Sequence, residues 1–155
     1  MNLKYAAWNG SSWDITTVDS PGDVGQYASL KLKGNGDPRI AYYDAASKDL
    51  KYVEWNGAWG TPHTLDSTGD VGQYASLALD PDPPFGDSHP CIAYYDATGG
   101  NLKYAELNTS IWVVMTVDAV NDVGQYASLA VDAAHKMKIA YYNATSQDLL
   151  YISEQ

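Results

Sequence analysis

The octet Asp-Val-Gly-Gln-Tyr-Ala-Ser-Leu occupies residues 23–30, recurs at 70–77 and recurs again at 122–129. Working outward, each copy is followed by Ile-Ala-Tyr-Tyr, at 40–43, 92–95 and 139–142. Leu-Lys-Tyr stands at 3–5, 50–52 and 102–104, with a diverged copy, Leu-Leu-Tyr, at 149–151. Tyr5 to Tyr52 is 47 residues, Tyr52 to Tyr104 is 52, and Tyr104 to Tyr151 is 47. Eight residues recurring three times at a near-constant period mark a duplicated supersecondary unit. The extra residues of the middle interval fall in Pro-Asp-Pro-Pro-Phe-Gly-Asp-Ser-His-Pro, 81–90, which its Pro and Gly content predicts to be a loop. The 155-residue chain therefore reads as one repeat domain, with units at 1–48, 49–100 and 101–147 and a partial fourth at 148–155.

Each unit reads as four strands. In the second, 74–79 alternates, with Ala75, Leu77 and Leu79 on one face and Tyr74, Ser76 and Ala78 on the other. Strands at 91–95, 102–107 and 112–117 follow, parted by turn-forming residues. Asn9-Gly10 and Asn56-Gly57 predict two-residue type I′ hairpins, because Asn-Gly tolerates positive φ at both central positions. No stretch has helical periodicity, and 13 Tyr and 5 Trp suit pleated surfaces, so the class is all-β.

Composition excludes several functions. A net charge of −10 with 9 scattered basic residues is the wrong electrostatics for nucleic acid or an anionic membrane surface. No apolar run approaches the ~18 residues of a membrane span. Cys91 is the sole cysteine, so no intrachain disulfide can form. Repeat sequence begins directly after Met1, with no signal-peptide pattern, which predicts a piece of a longer protein; an extracellular or cell-surface setting fits but is not encoded.

Three units of about this length also suit a β-trefoil. The partial fourth unit favours an open, phase-shifted array instead. Ser76-Leu-Ala-Leu-Asp80, a turn, and His89-Pro-Cys-Ile-Ala-Tyr-Tyr-Asp-Ala-Thr-Gly-Gly-Asn-Leu-Lys-Tyr-Ala-Glu106 resemble the bacterial and archaeal β-propeller repeats of form SLALDxxGxPxIxYYDxxxxxLKYA. The resemblance covers essentially the whole chain and implies four-stranded blades, with the octet strand innermost and Asp-Val-Gly-Gln connecting blade to blade. Three blade-equivalents cannot close a ring of the usual 4–8 blades, so the expected assembly is a homodimer of six blades. Residues 3–8 and 149–153 would then compete for one third-strand position.

Enzyme chemistry has no support in the motifs. His63, His89 and His135 are not equivalent among the units and form no zinc-spaced set, and no hydrolase, metalloprotease or phosphate-loop pattern occurs. A carboxylate pair for glycoside hydrolysis has nothing to single it out among 19 acids. The pairs Asp19/Asp23, Asp66/Asp70 and Asp118/Asp122 could ligate calcium or cap turns; two carboxylates per loop are few for calcium. Gln26, Gln73 and Gln125 could face a ligand or tie blades together. Trp8 and Trp55, replaced by Leu107 in the third copy, and Trp13, Trp59 and Trp112 flank the hairpins, where indoles either stack on sugars or fill the gap between blades. Asn9, Asn108 and Asn143 open glycosylation sequons that matter only in an exported protein. The expected function is a non-catalytic binding module, with glycans the most concrete ligand because weak repeated sites gain from multivalency. The alternatives are a structural propeller fragment of a larger surface protein and a glycoside-active enzyme. No cofactor and no metal is expected.

Overall fold

Short runs of aromatic and β-branched residues, cut by Asn, Gly and Pro, become thirteen strands among the residues that the computed structural model describes, 1–80 and 89–154. The first sheet holds β1 (Leu3–Trp8) and β2 (Trp13–Asp19). The second holds β3 (Val24–Leu32), β4 (Pro38–Asp44), β5 (Asp49–Glu54) and β6 (His63–Asp66). The third holds β7 (Val71–Asp80), β8 (His89–Asp96), β9 (Asn101–Asn108) and β10 (Ile111–Asp118), and the fourth holds β11 (Val123–Val131), β12 (Met137–Asn143) and β13 (Asp148–Ser153). Strands consecutive in sequence pair antiparallel within each sheet. The first sheet is thus the last two strands of a unit, and the fourth sheet is the first three. Most of the proline-rich loop at 81–90 lies outside the described residues; its last two, His89 and Pro90, already belong to β8.

The core is a series of junctions between successive sheets. Leu3 meets Val24, Ile40 and Tyr42 between the first and second; Leu50 and Tyr52 meet Leu77, Ile92 and Tyr94 between the second and third; Leu102 and Tyr104 meet Leu129, Ile139 and Tyr141 between the third and fourth. A sheet covered on both faces buries its middle strands completely. Every residue of β4 is buried, which is why Ile-Ala-Tyr-Tyr reads as a continuous apolar run and not an alternation. Each large side chain buried there is worth about 1.5–3 kcal/mol. On β7 the neighbours Leu77 and Ala78, expected on opposite faces, are both buried, so both faces are covered there.

The first strands β3, β7 and β11 lie side by side. Leu77 N–H donates to Ser29 Oγ (2.9 Å), and Leu129 N–H donates to Ser76 Oγ (2.9 Å). Of the Asp-Val-Gly-Gln step, expected as a connection, only Asp23 precedes the strand: Val24 sits opposite Asp44 and Gln26 opposite Tyr43, with register shifts on either side of Gln26. Those bulges explain the invariance of Gly-Gln-Tyr within the chain. Gly72 has φ +104°, and a Cβ there would stand 2.7 Å from Leu50 Cα of the preceding sheet; Gly25 and Gly124 repeat the approach to Leu3 and Leu102. Only glycine permits both the conformation and the contact.

The hairpins differ from the expected type I′ form. Gly10 and Gly57 take positive φ but Asn9 and Asn56 do not. Asn9 works through its side chain, its Oδ1 accepting the Ser11 and Ser12 amides at 3.0 and 2.9 Å. The turn is a longer loop closed by an Asx contact.

Candidate functional site

Each junction between sheets has two polar zones. One lies around the Asp-x-x-x-Asp connections. Tyr42 hydroxyl donates to Asp19 Oδ2 (2.6 Å) and Lys51 Nζ reaches the same oxygen at 2.9 Å. Tyr94 (2.8 Å) and Lys103 do the same at Asp66. Tyr141 donates to Asp118 (2.7 Å), but Leu150 stands where the lysine would be. The second acid of each pair works across the junction too: Tyr43 hydroxyl donates to Asp70 Oδ1 (2.6 Å) and Tyr95 to Asp122 Oδ1 (2.6 Å).

The electrostatics follow from these contacts. Burial opposes the charged form of Asp66, yet hydrogen bonds from Lys103, Thr68 N–H and Tyr94 outweigh it and hold the carboxyl below its usual range. Asp19 and Asp70 are lowered by the same balance. Burial, then the bond to Asp70, pushes the Tyr43 hydroxyl up to about 12. These acids are committed to tyrosines and lysines of neighbouring sheets. Among the described residues, no group of three or more His, Cys, Asp or Glu is arranged to hold a metal.

The glutamines join this zone. Gln26 Nε2 donates to Asp23 (3.1 Å), Gln73 Nε2 to Asp70 Oδ1 (3.1 Å), and Gln125 bonds the Tyr95 hydroxyl. Beside them, Tyr27, Tyr74 and Tyr126 form a column, with ring centroids 4.7 and 4.4 Å apart.

The second zone lies at the hairpin ends, where the tryptophans gather. Trp8 and Trp13 meet edge to face at 5.6 Å, and Trp55 and Trp59 do the same at 5.6 Å. Trp59 and Trp112 each also lean on a tyrosine of the preceding sheet, Tyr5 at 5.3 Å and Tyr52 at 5.1 Å. At the junction of the second and third sheets Tyr52, the tyrosine of this pair, also joins a charged cluster. Arg39, the chain's single arginine, is buried at the start of β4 and ion-paired with Glu54 at the end of β5. Its Nη1 donates to Tyr52 Oη (3.2 Å), and Asn56 Nδ2 donates to Glu54 Oε1 (2.8 Å). Arg39 Nε is buried without a hydrogen-bond partner. The same guanidinium thus carries a buried, unpaired donor while it bonds Tyr52 and pairs with Glu54. Charged groups beside aromatic rings are the chemistry that bonds hydroxyls while a sugar ring rests on an aromatic face.

The other junctions vary this theme. Between the third and fourth sheets Cys91 replaces Arg39, Tyr104 hydroxyl donates to Glu106 (3.2 Å), and a cleft of about 310 Å³ opens over them. His135 Nδ1 lies 2.7 Å from Asp80 on its wall. Between the first and second, Tyr5, Asp14, Asp37, Trp55 and Trp59 line a cleft of about 360 Å³. The structure thus brings Trp55 and Trp59 to the cleft between the first and second sheets, packs Trp112 on Tyr52, leaves Trp8 and Trp13 exposed, and sets the glutamines in the other zone. Sequence reasoning passed over Arg39, Tyr52, Glu54 and Glu106. The signal available was Tyr-x-Glu just before a hairpin at 52–54 and 104–106.

No family model matches the chain, and no curated protein does. Among solved structures, AofleA from Arthrobotrys oligospora superposes with a TM-score of 0.64 at 11% identity, over 99% of this chain and 47% of that one. A fucose lectin from Kordia zhangzhouensis, in complex with methyl-fucoside, superposes with a TM-score of 0.50 at 15% identity, over 82% of this chain and 91% of that one. At such identities the likeness concerns the fold. The chain spans about half the length of AofleA.

Proposed function

We propose that the chain is a non-catalytic carbohydrate-binding protein whose sugar sites lie in the hairpin-end clefts between successive sheets. The carrying observation is the cluster of Arg39, Tyr52 and Glu54 next to the Trp112 indole that packs on Tyr52, with the guanidinium Nε unpaired. Ion-pairing a buried Arg–Glu is a poor way to gain stability, whereas charged donors and acceptors beside an aromatic face suit a polyol. The neighbour named as a fucose lectin supports the same reading at the level of fold. A glycosidase would need two opposed acids, one with a raised pKa; Glu54 is instead bound by Arg39 and Asn56.

The sheets are read as propeller blades, the first strands lining the axis. Pairing of all four strands of a unit within one sheet favours this over a β-trefoil. Two copies would complete six blades and repeat the cleft around the ring, giving the multivalency that weak sugar sites need. Titration of tryptophan fluorescence with methyl-fucoside and a panel of other monosaccharides tests the reading. Saturable change, lost in the double substitution Arg39→Met/Glu54→Met, is expected; silence across the panel leaves a purely structural module.

A further inference from the structure

The contacts between sheets consist of matched halves. At the second and third of the three junctions inside the chain Tyr43 meets Asp70 and Tyr95 meets Asp122. Ser29 and Ser76 receive the Leu77 and Leu129 amides, Lys51 and Lys103 reach Asp19 and Asp66, and Trp59 and Trp112 rest on Tyr5 and Tyr52. The next set of halves stands at opposite ends of the sheet series. Tyr142, Ser128, Asp118 and Tyr104 occupy the receiving positions; Asp23, the Leu30 amide, Lys4 and Trp13 occupy the complementary ones. Burial follows suit. Leu77 and Leu129 are buried but Leu30 is 44% exposed, and Trp13 is 62% exposed while its equivalents are half-buried.

We propose that a second copy of this chain inserts its β1–β2 hairpin as the third and fourth strands of the fourth sheet, displacing β13. This rests on the six-bladed reading above and names the strand that fills the junction. Six four-stranded blades hold 24 strands, and two copies of thirteen bring 26, so each copy has one strand too many. The hairpin is the strand pair already locked in place. Gly25 approaches Leu3 so closely that a Cβ would stand 2.9 Å from its Cα, and Asp19 is held by Tyr42 and Lys51. The second copy's fourth sheet can therefore enter that blade with β11 and β12 but not with β13. Chemistry agrees: Lys4 restores the lysine facing Asp118, where β13 offers Leu150. Only the hairpin also supplies a fourth strand. Trp13 then lands on Tyr104 at the 310 Å³ cleft, as Trp112 lies on Tyr52, so this sugar cleft is complete only in the dimer.

Engineered disulfides in the full chain separate the possibilities. Arg39 sits opposite Glu54 and Cys91 opposite Glu106, which places the second copy's Lys138 opposite Ala7. In one copy Lys138 instead faces Ser153. Oxidised Ala7→Cys/Lys138→Cys should run as a covalent dimer of twice 16.8 kDa on non-reducing gels. Oxidised Lys138→Cys/Ser153→Cys should lock β13 and elute as a monomer, with reduction restoring the dimer. Trp13→Ala, at a site exposed in the single copy, should raise the dimer Kd at least ~10-fold without loss of the far-UV circular dichroism of the fold. If wild type is a dimer but Ala7→Cys/Lys138→Cys forms no covalent link and oxidised Lys138→Cys/Ser153→Cys remains dimeric, the strand exchange is overturned but not the ring. A wild-type monomer at every concentration in light scattering overturns both.

Discussion

Removing one partner of the Arg39–Glu54 pair should destabilise the protein more than removing both. Glu54→Ala leaves a guanidinium that is 6% exposed with only the Tyr52 hydroxyl beside it, its Nε already unpaired. Breaking a buried pair from one side costs about 3–5 kcal/mol. The Glu54 side chain is 31% exposed, so water can enter the vacated place and the cost should fall near the lower figure, about 3 kcal/mol. Arg39→Met/Glu54→Met removes the desolvated charge and the open donor, itself a cost of about 1–3 kcal/mol. Exchanging a buried ion pair for apolar chains of similar volume is neutral or stabilising by about 1–4 kcal/mol. The third sheet already tolerates Cys91 at the Arg39 position, evidence that a sheet of this kind does not depend on the charge. Urea denaturation followed by far-UV circular dichroism, at one fixed protein concentration, should rank the double variant at or above wild type and Glu54→Ala well below, with unchanged m-values. A double variant as unstable as the single one, or one that still binds sugar with parental affinity, would refute the reasoning and make the cluster a structural clamp.

Gly72→Ala should cost about 2–5 kcal/mol, from positive φ (about 1–2) and a forced contact with Leu50 (about 1–3). Gly34→Ala, with nothing within 4 Å and no positive φ, should be neutral or stabilising by up to ~1 kcal/mol in the same denaturation assay. Stability should also fall at both ends of the pH scale. Asp19, Asp66 and Asp70 have lowered carboxyl pKa values, so their contribution is complete above the ordinary carboxylate range and disappears as pH drops through the folded values, below about 4. Tyr43 is raised from 10.0 to about 12, so its contribution is complete below pH 10 and is lost as pH climbs to about 12; over that range urea midpoints should fall less steeply in Tyr43→Phe than in wild type, with the other raised tyrosines, Tyr42 and Tyr94 among them, supplying the remaining slope.

The octet and the tetrad made the strands and their order legible, because duplication repeats whatever a strand needs. Glycine at 25, 72 and 124 recurs with the octet, and the close approach to Leu3, Leu50 and Leu102 is the cause. The acids were harder to read. Asp70 and Tyr43 are 27 residues apart and Asp19 and Lys51 are 32 apart, and they meet only because adjacent sheets stack; no local spacing encodes that. Arg39 escaped notice because it occurs in one unit, and a search for repetition favours what all units share. Asn-Gly misled for a local reason: the Asn9 side chain competes for turn amides and draws the loop into a longer form.

Every contact between neighbouring sheets is head-to-tail, one face giving what the next receives. Such an interface contains no count. It joins a second element to a first in the way it joins a tenth to a ninth, and only the angle at each step decides whether the series returns to its start or winds on as a helical filament. Whether such a series closes is therefore a matter of curvature and not of what any one contact recognises.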